Sequence, residues 1–93
     1  MILTEFVLAG CPYCRRAQEI LEELKREEPR YAGIDIEVID EGLHPDIADR
    51  YDYYRVPSFF CGTEKLYEAD PARSRAEARE LLKRMLDGIP AED

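Results

Sequence analysis

The sequence predicts a small α/β domain with element order β-α-β-α-β-β-α: a four-stranded mixed sheet flanked by helices. Three observations carry this prediction. An apolar run at the start ends in glycine and is followed at once by an amphipathic segment. Short alternating or apolar runs then recur between proline and glycine breakpoints. The chain closes on a strongly marked capped helix. At 93 residues it is read as one domain spanning 1–93.

Ile2 to Ala9 is apolar apart from Thr4 and Glu5, and Gly10 ends it. Such a run suits a strand buried on both faces. Residues 12–28 read as a helix. Cys14, Ala17, Leu21 and Leu24 recur at steps of three and four, with Ile20 beside them, while Arg15, Arg16, Glu19, Glu22, Glu23 and Lys25 fill the other face. Pro29 stops this helix. Ile34, Ile36 and Val38 alternate with Asp35 and Glu37, as in a half-buried strand near a sheet edge.

Pro45 can open a short helix whose inner stripe would be Ile47, Ala48, Tyr51 and Tyr54. That stripe leaves Tyr53, like Tyr13, to flank a substrate groove. Pro57–Cys61 reads as a third strand, Gly62-Thr63 as a turn and Lys65–Glu68 as a fourth strand, so the last two pair antiparallel. Ser74 and Glu77 form a capping box for the final helix. Ala78, Leu81, Leu82, Met85 and Ile89 are its core stripe, and Gly88 and Pro90 end it. The first βαβ unit is expected to be right-handed, which makes strands one and two parallel.

Composition excludes several function classes. Thirteen Lys and Arg against twenty-one Asp and Glu leave a net charge of −8. A nucleic-acid binder or a polybasic membrane-surface protein needs the opposite balance. No apolar run approaches the roughly 20 residues of a membrane helix. The opening Met1-Ile2-Leu3-Thr4-Glu5 has no basic start or cleavage site, so the expected location is the cytoplasm. A domain this small buries only roughly 60% of its unfolded surface, so an active site should lie at the surface. The default oligomeric state is a monomer.

Two of the three cysteines stand as Cys11-Pro12-Tyr13-Cys14. In a cytosolic chain that spacing reads as redox or metal chemistry, not as a structural staple. It falls where the first strand meets the first helix. Cys11 would be the N-cap and Pro12 the first helical residue, where the missing N–H costs nothing. An N-cap side chain accepts from the backbone N–H two or three residues on, here Tyr13 and Cys14. A thiolate would accept those bonds more strongly than a thiol. The helix dipole alone contributes ~0.3–1 kcal/mol to a surface charge. The amides, and Arg15 or Arg16, must supply the rest. Cys14 lies one turn on, within disulfide reach, on the apolar stripe. The roles follow: Cys11 attacks, and Cys14 resolves the mixed disulfide.

Metal binding and two structural thiols are the other readings of this pair. Three cysteines and His44 make up a numerically complete Cys₃His zinc set, though Pro-Tyr between ligands at a strand-to-helix turn is unusual for zinc. Cys61, after Phe59-Phe60, reads as a small core hydrophobe, and His44 as a solvated or capping residue.

The CPYC after a buried strand, with Val56-Pro57 before another strand about 45 residues on, resembles the glutaredoxins, which have the thioredoxin fold. The resemblance spans about residues 2 to 88. It implies strand order 2-1-3-4, a third strand antiparallel to the first, and a cis Pro57 facing the CxxC. It also implies that Val56 pairs by its backbone with an extended substrate or with glutathione, alongside Pro12, Tyr13 and Arg55. The implied activity is thiol–disulfide exchange on disulfide-bearing proteins or small thiols. The exchange needs no metal or organic cofactor, and glutathione is the candidate reductant or co-substrate.

Three departures bear on that reductant. Leu8, Ala9 and Gly10 stand where many members carry a lysine, and Arg55 stands where threonine is common. Leu66-Tyr67-Glu68-Ala69-Asp70-Pro71 replaces the Gly-Gly and acidic pair of glutathione-binding members. A thioredoxin-like carrier fed by a flavoprotein reductase is the alternative. Arg55 would then serve an acidic or carboxylate-bearing partner. A metal or iron–sulfur carrier using the same thiolates is the third reading.

Overall fold

The computed structural model describes residues 2–90; Met1 and residues 91–93 lie outside the described residues. Its elements are β1 (Ile2–Val7), α1 (Pro12–Glu27), a 3-10 helix (Pro29–Gly33), β2 (Asp35–Asp40), α2 (Pro45–Ala48), β3 (Ser58–Cys61), β4 (Glu64–Glu68) and α3 (Arg75–Asp87). The sheet order is β2-β1-β3-β4. β1 runs parallel to β2 and antiparallel to β3, which pairs antiparallel with β4. This is the expected strand order and α/β class. The Val56–Pro57 bond is cis, as the resemblance implied.

β1 lies between two apolar layers. On one side Leu3, Phe59, Ile20, Leu24, Leu82 and Leu86 form the main core against α1 and α3. On the other, Phe6, Ile39 and Phe60 form a smaller cluster closed by Ile47, Tyr51, Tyr53 and Val56. α1 and α3 are also joined on their outer sides, where Glu23 pairs with Arg75 and Arg79, and Glu27 with Arg79. α3 carries the expected capping box, with the Ser74 hydroxyl accepting from the Glu77 N–H and the Glu77 carboxylate accepting from the Ser74 N–H.

Several expectations need correction. β1 ends at Val7 and not at Ala9, because Leu8 to Gly10 turn to start α1: the Cys11 N–H donates to the Leu8 carbonyl at 3.2 Å. Pro29 does stop α1, but it opens a 3-10 turn that buries Tyr31, whose hydroxyl bonds Asp87. β2 starts one residue late and extends to Asp40. Ile34 and Ile36 pack against the main core as expected, Ile39 is buried in the smaller cluster on the other face, and Val38 is 56% exposed on this edge strand. α2 has only four residues, and of the stripe read through Tyr54 the places of Ile47, Ala48 and Tyr51 hold while that of Tyr54 fails. Tyr53 takes the inner place, stacked on Phe6 with ring centroids 4.9 Å apart, and Tyr54 is 90% exposed. α3 buries Ala78, Leu82 and Met85 as expected, but Leu86 takes the place expected of Leu81, which is exposed.

Candidate functional site

The strand-to-helix turn builds the site. Gly10 adopts φ 80°, a left-handed conformation that favours glycine, and so redirects the chain from β1 into α1. Cys11 follows as N-cap with φ −80° and ψ 118°, and Pro12 takes the first helical position. The Cys14 N–H donates to the Cys11 Sγ at 3.4 Å. The second donor expected, the Tyr13 N–H, makes no such bond among the described residues, so one backbone amide and not two serves the sulfur. Cys11 and Cys14 are free thiols, and all three cysteines are half-buried. Arg16 sits over the Tyr13 ring, 5.3 Å from its centroid, and so braces that exposed tyrosine.

The segment before β3 faces this turn. The Cys11 thiol donates to the Val56 carbonyl at 3.7 Å across 45 residues of sequence. Around that carbonyl the loop is held at several points. Ser58 Oγ donates to the Arg55 carbonyl at 2.5 Å, and the Ala69 N–H donates to the Pro57 carbonyl at 3.0 Å. Cys11, Cys14, Val56 and Pro57 are thus brought to one place. Arg55 and Tyr13 stand at its rim.

One cleft holds the sulfur and a second lies along the Val56 edge. The first, of about 280 Å³, is lined by Glu5, Gly10, Cys11, Cys14, Arg15 and Gln18. The other, of about 300 Å³, is lined by Leu8, Tyr13, Tyr54, Arg55, Val56 and Pro71. A further cavity of about 540 Å³, between β4 and α3, is lined by neither residue of the cysteine pair. His44 is the exposed N-cap of α2, and Cys61 packs at the edge of the main core. Among the described residues no group of three His, Cys, Asp or Glu side chains is placed to hold a metal ion. No helix among them is long and apolar enough to cross a membrane.

The electrostatics separate the two thiols from a third group that sequence reasoning did not single out. Burial pushes the Cys14 thiol up to about 12, with Cys11 and Glu5 adding to the effect and a backbone hydrogen bond at Leu8 opposing it. Cys14 is therefore a protonated thiol at neutral pH. Glu5 is only 2% exposed, and burial pushes its carboxyl up to about 7, against a small opposing pull from Lys25. Its signal is present in the sequence: Glu5 is a lone acid in an apolar strand, with Leu3 and Val7 on the same face two residues either way.

The glutaredoxin family model matches residues 3–66. The chain belongs to the glutaredoxin family. No curated protein sequence matches the chain. Solved structures share the fold. Thioredoxin 1 from Thermosipho africanus is 20% identical, with 94% of this chain and 96% of that one covered and a TM-score of 0.58. Oxidised thioredoxin from Plasmodium falciparum is 15% identical over 92% of this chain and 77% of that one, with a TM-score of 0.62. A mutant thioredoxin from Halobacterium salinarum is 19% identical over 96% of this chain and 77% of that one, with a TM-score of 0.57. Family and fold together assign the chain to thiol–disulfide redox proteins.

Proposed function

We propose that the protein is a thiol–disulfide oxidoreductase that reduces protein or low-molecular-weight disulfides through Cys11 and Cys14. The observation that carries this is the setting of Cys11. Its sulfur caps a helix, accepts the Cys14 N–H at 3.4 Å and faces the Val56 carbonyl at 3.7 Å, beside an open cleft.

The reaction runs in two exchanges. The Cys11 thiolate attacks one sulfur of a substrate disulfide and releases the other as a thiolate, which takes up a proton. Cys14 then loses its proton and attacks the Cys11 sulfur. The Cys11–Cys14 disulfide forms, and the second substrate thiol leaves. The substrate gains two electrons and the protein loses two. The first step needs the substrate disulfide in line with Cys11. The backbone of Val56, with Pro57 holding the turn and Pro12, Tyr13 and Arg55 at the rim, supplies an edge that an extended segment can pair with.

The second step needs a base, because burial keeps Cys14 protonated. Glu5 lines the same cleft and titrates at about 7, a value matched to neutral pH. It takes the Cys14 proton, directly or through one water in the cleft. The exchange uses no metal or organic cofactor. A cytoplasmic monomer acting on disulfide-bearing proteins or small thiols fits the acidic composition and the small, open clefts. Its reductant is glutathione or a flavoprotein reductase.

Intact mass across a glutathione redox series tests the reading. The expected result is a two-electron dithiol–disulfide transition at Cys11–Cys14, with Cys14→Ser trapping one substrate thiol on Cys11. A trapped glutathione identifies that reductant, while a pair that stays oxidised without an adduct points to a flavoprotein. Cysteines that cycle in neither system overturn the oxidoreductase assignment.

A further inference from the structure

Glu68 is the last residue of β4, outside the family match and distant in sequence from both cysteines. Its Oε2 accepts two consecutive backbone amides, from Tyr54 at 2.6 Å and from Arg55 at 2.8 Å. Its Oε1 accepts from Lys65 Nζ at 2.8 Å, and its backbone carbonyl accepts from Arg73 at 2.9 Å. The carboxylate is thus fixed in place by a cation while it grips the chain just before Val56 and Pro57. The next residue, Ala69, donates to the Pro57 carbonyl at 3.0 Å. The end of β4 therefore holds the loop on both sides of Val56, whose carbonyl faces Cys11 at 3.7 Å.

We infer that Glu68 is a positioning residue for disulfide attack: its carboxylate clamps the Tyr54–Arg55 backbone and so sets the Val56 edge against Cys11. The inference rests on the oxidoreductase reading above. The segment is also held by the Ser58 hydroxyl on the Arg55 carbonyl and by Tyr53 stacked on Phe6, while the Tyr54 and Arg55 amides are held by Glu68. Tyr54 is exposed, and α2 ends at Ala48. Two adjacent amides aimed at one carboxylate oxygen are charge-assisted bonds, roughly twice as strong as neutral ones. Without them the amides turn to water, at small cost to stability because the site is exposed. What is lost is the loop's single placement. Positioning is where a small displacement has a large kinetic effect, since about 1 Å can change a rate by about a hundredfold.

The test separates attack that needs an aligned substrate from attack that does not. In the Cys14→Ser background, single-turnover reaction of Cys11 with a peptide disulfide is compared with its alkylation by iodoacetamide. Glu68→Ala is expected to slow disulfide attack by about ten- to a hundredfold and to leave alkylation unchanged. Glu68→Gln keeps a carbonyl oxygen for the two amides and is expected to recover most of the rate. Amide exchange at Tyr54 and Arg55 should be protected in the parent and released in Glu68→Ala. Equal disulfide rates in Glu68→Ala and parent overturn the clamp, as does an equal slowing of both reactions. A parent protein inert to disulfides but normal in alkylation overturns the oxidoreductase reading, and the clamp's kinetic role with it. Cooperative unfolding of Glu68→Ala shows that the variant is folded.

Discussion

Replacing Glu5 with glutamine should change how stability depends on pH, in a direction and by an amount the structure sets. Glu5 is 2% exposed at the centre of the sheet, and burial moves its carboxyl from the ordinary 4.5 to about 7. Between those values the folded protein holds a proton there that the unfolded chain has released. Stability therefore falls as pH rises through this window and is flat above it. The interval is about 2.5 pH units, and at about 1.36 kcal/mol each the loss is about 3 kcal/mol. That is a large share of the roughly 5–15 kcal/mol that holds a small domain together.

Glutamine keeps the shape and never ionises. Urea unfolding of both proteins at half-unit steps from pH 4 to 8 should give a gap that opens with pH, in favour of Glu5→Gln. The carboxylates held low by partners, Glu23, Glu68, Glu77 and Asp87, lose their contribution only on the acid side and are common to both proteins. They cancel in the difference. Parallel stability curves across the window would refute the claim that burial lifts the Glu5 carboxyl toward neutral pH.

Three further outcomes follow from the site and its supports. Glu5→Gln should leave the first attack by Cys11 unchanged and slow release of the trapped thiol, and the resolution rate of the parent should climb through about pH 7 while that of the variant does not; stopped-flow release of a chromogenic thiol reads both steps. Tyr54→Ser should alter stability by no more than about 0.5 kcal/mol, as for other exposed sites. Tyr53→Ser removes a ring stacked on Phe6 and a hydroxyl bonded to Glu41, and should lower the urea midpoint clearly.

The parts of the fold legible in the sequence are those set by local chemistry. Proline after Cys11 marks a helix start, and Ser74 with Glu77 marks another, because caps are written within four residues. Strand order is not local. It comes with the resemblance, since no periodicity says which strands are neighbours. The misplaced tyrosines have a physical cause. A 3.6-residue stripe holds only while the helix lasts, and α2 ends after one turn, so the bend beyond it exchanges Tyr53 and Tyr54. Ile39 packs although the alternating run leaves it out, because β2 meets an apolar cluster on each face, Ile36 against one and Ile39 in the other. At the site, Cys11 and Val56 are legible as motifs. The clamping role of Glu68 is not, because its partners lie 13 and 14 residues away and are backbone atoms, which carry no residue signature. Glu5 is visible as an anomaly in an apolar run, but nothing local to it shows that Cys14 shares its cleft.

The outermost strand has a consequence for how the protein behaves in a crowded solution. β2 presents an open edge, with Val38 exposed and acids at Asp35, Glu37 and Asp40. An unpaired edge is a template on which a second chain can add. Here any self-addition brings like charges together along the seam, so at neutral pH copies repel along the line where they would otherwise join. That protection depends on ionic strength: salt screens the seam charges while the apolar side chains remain, so association of folded copies should rise as salt is added.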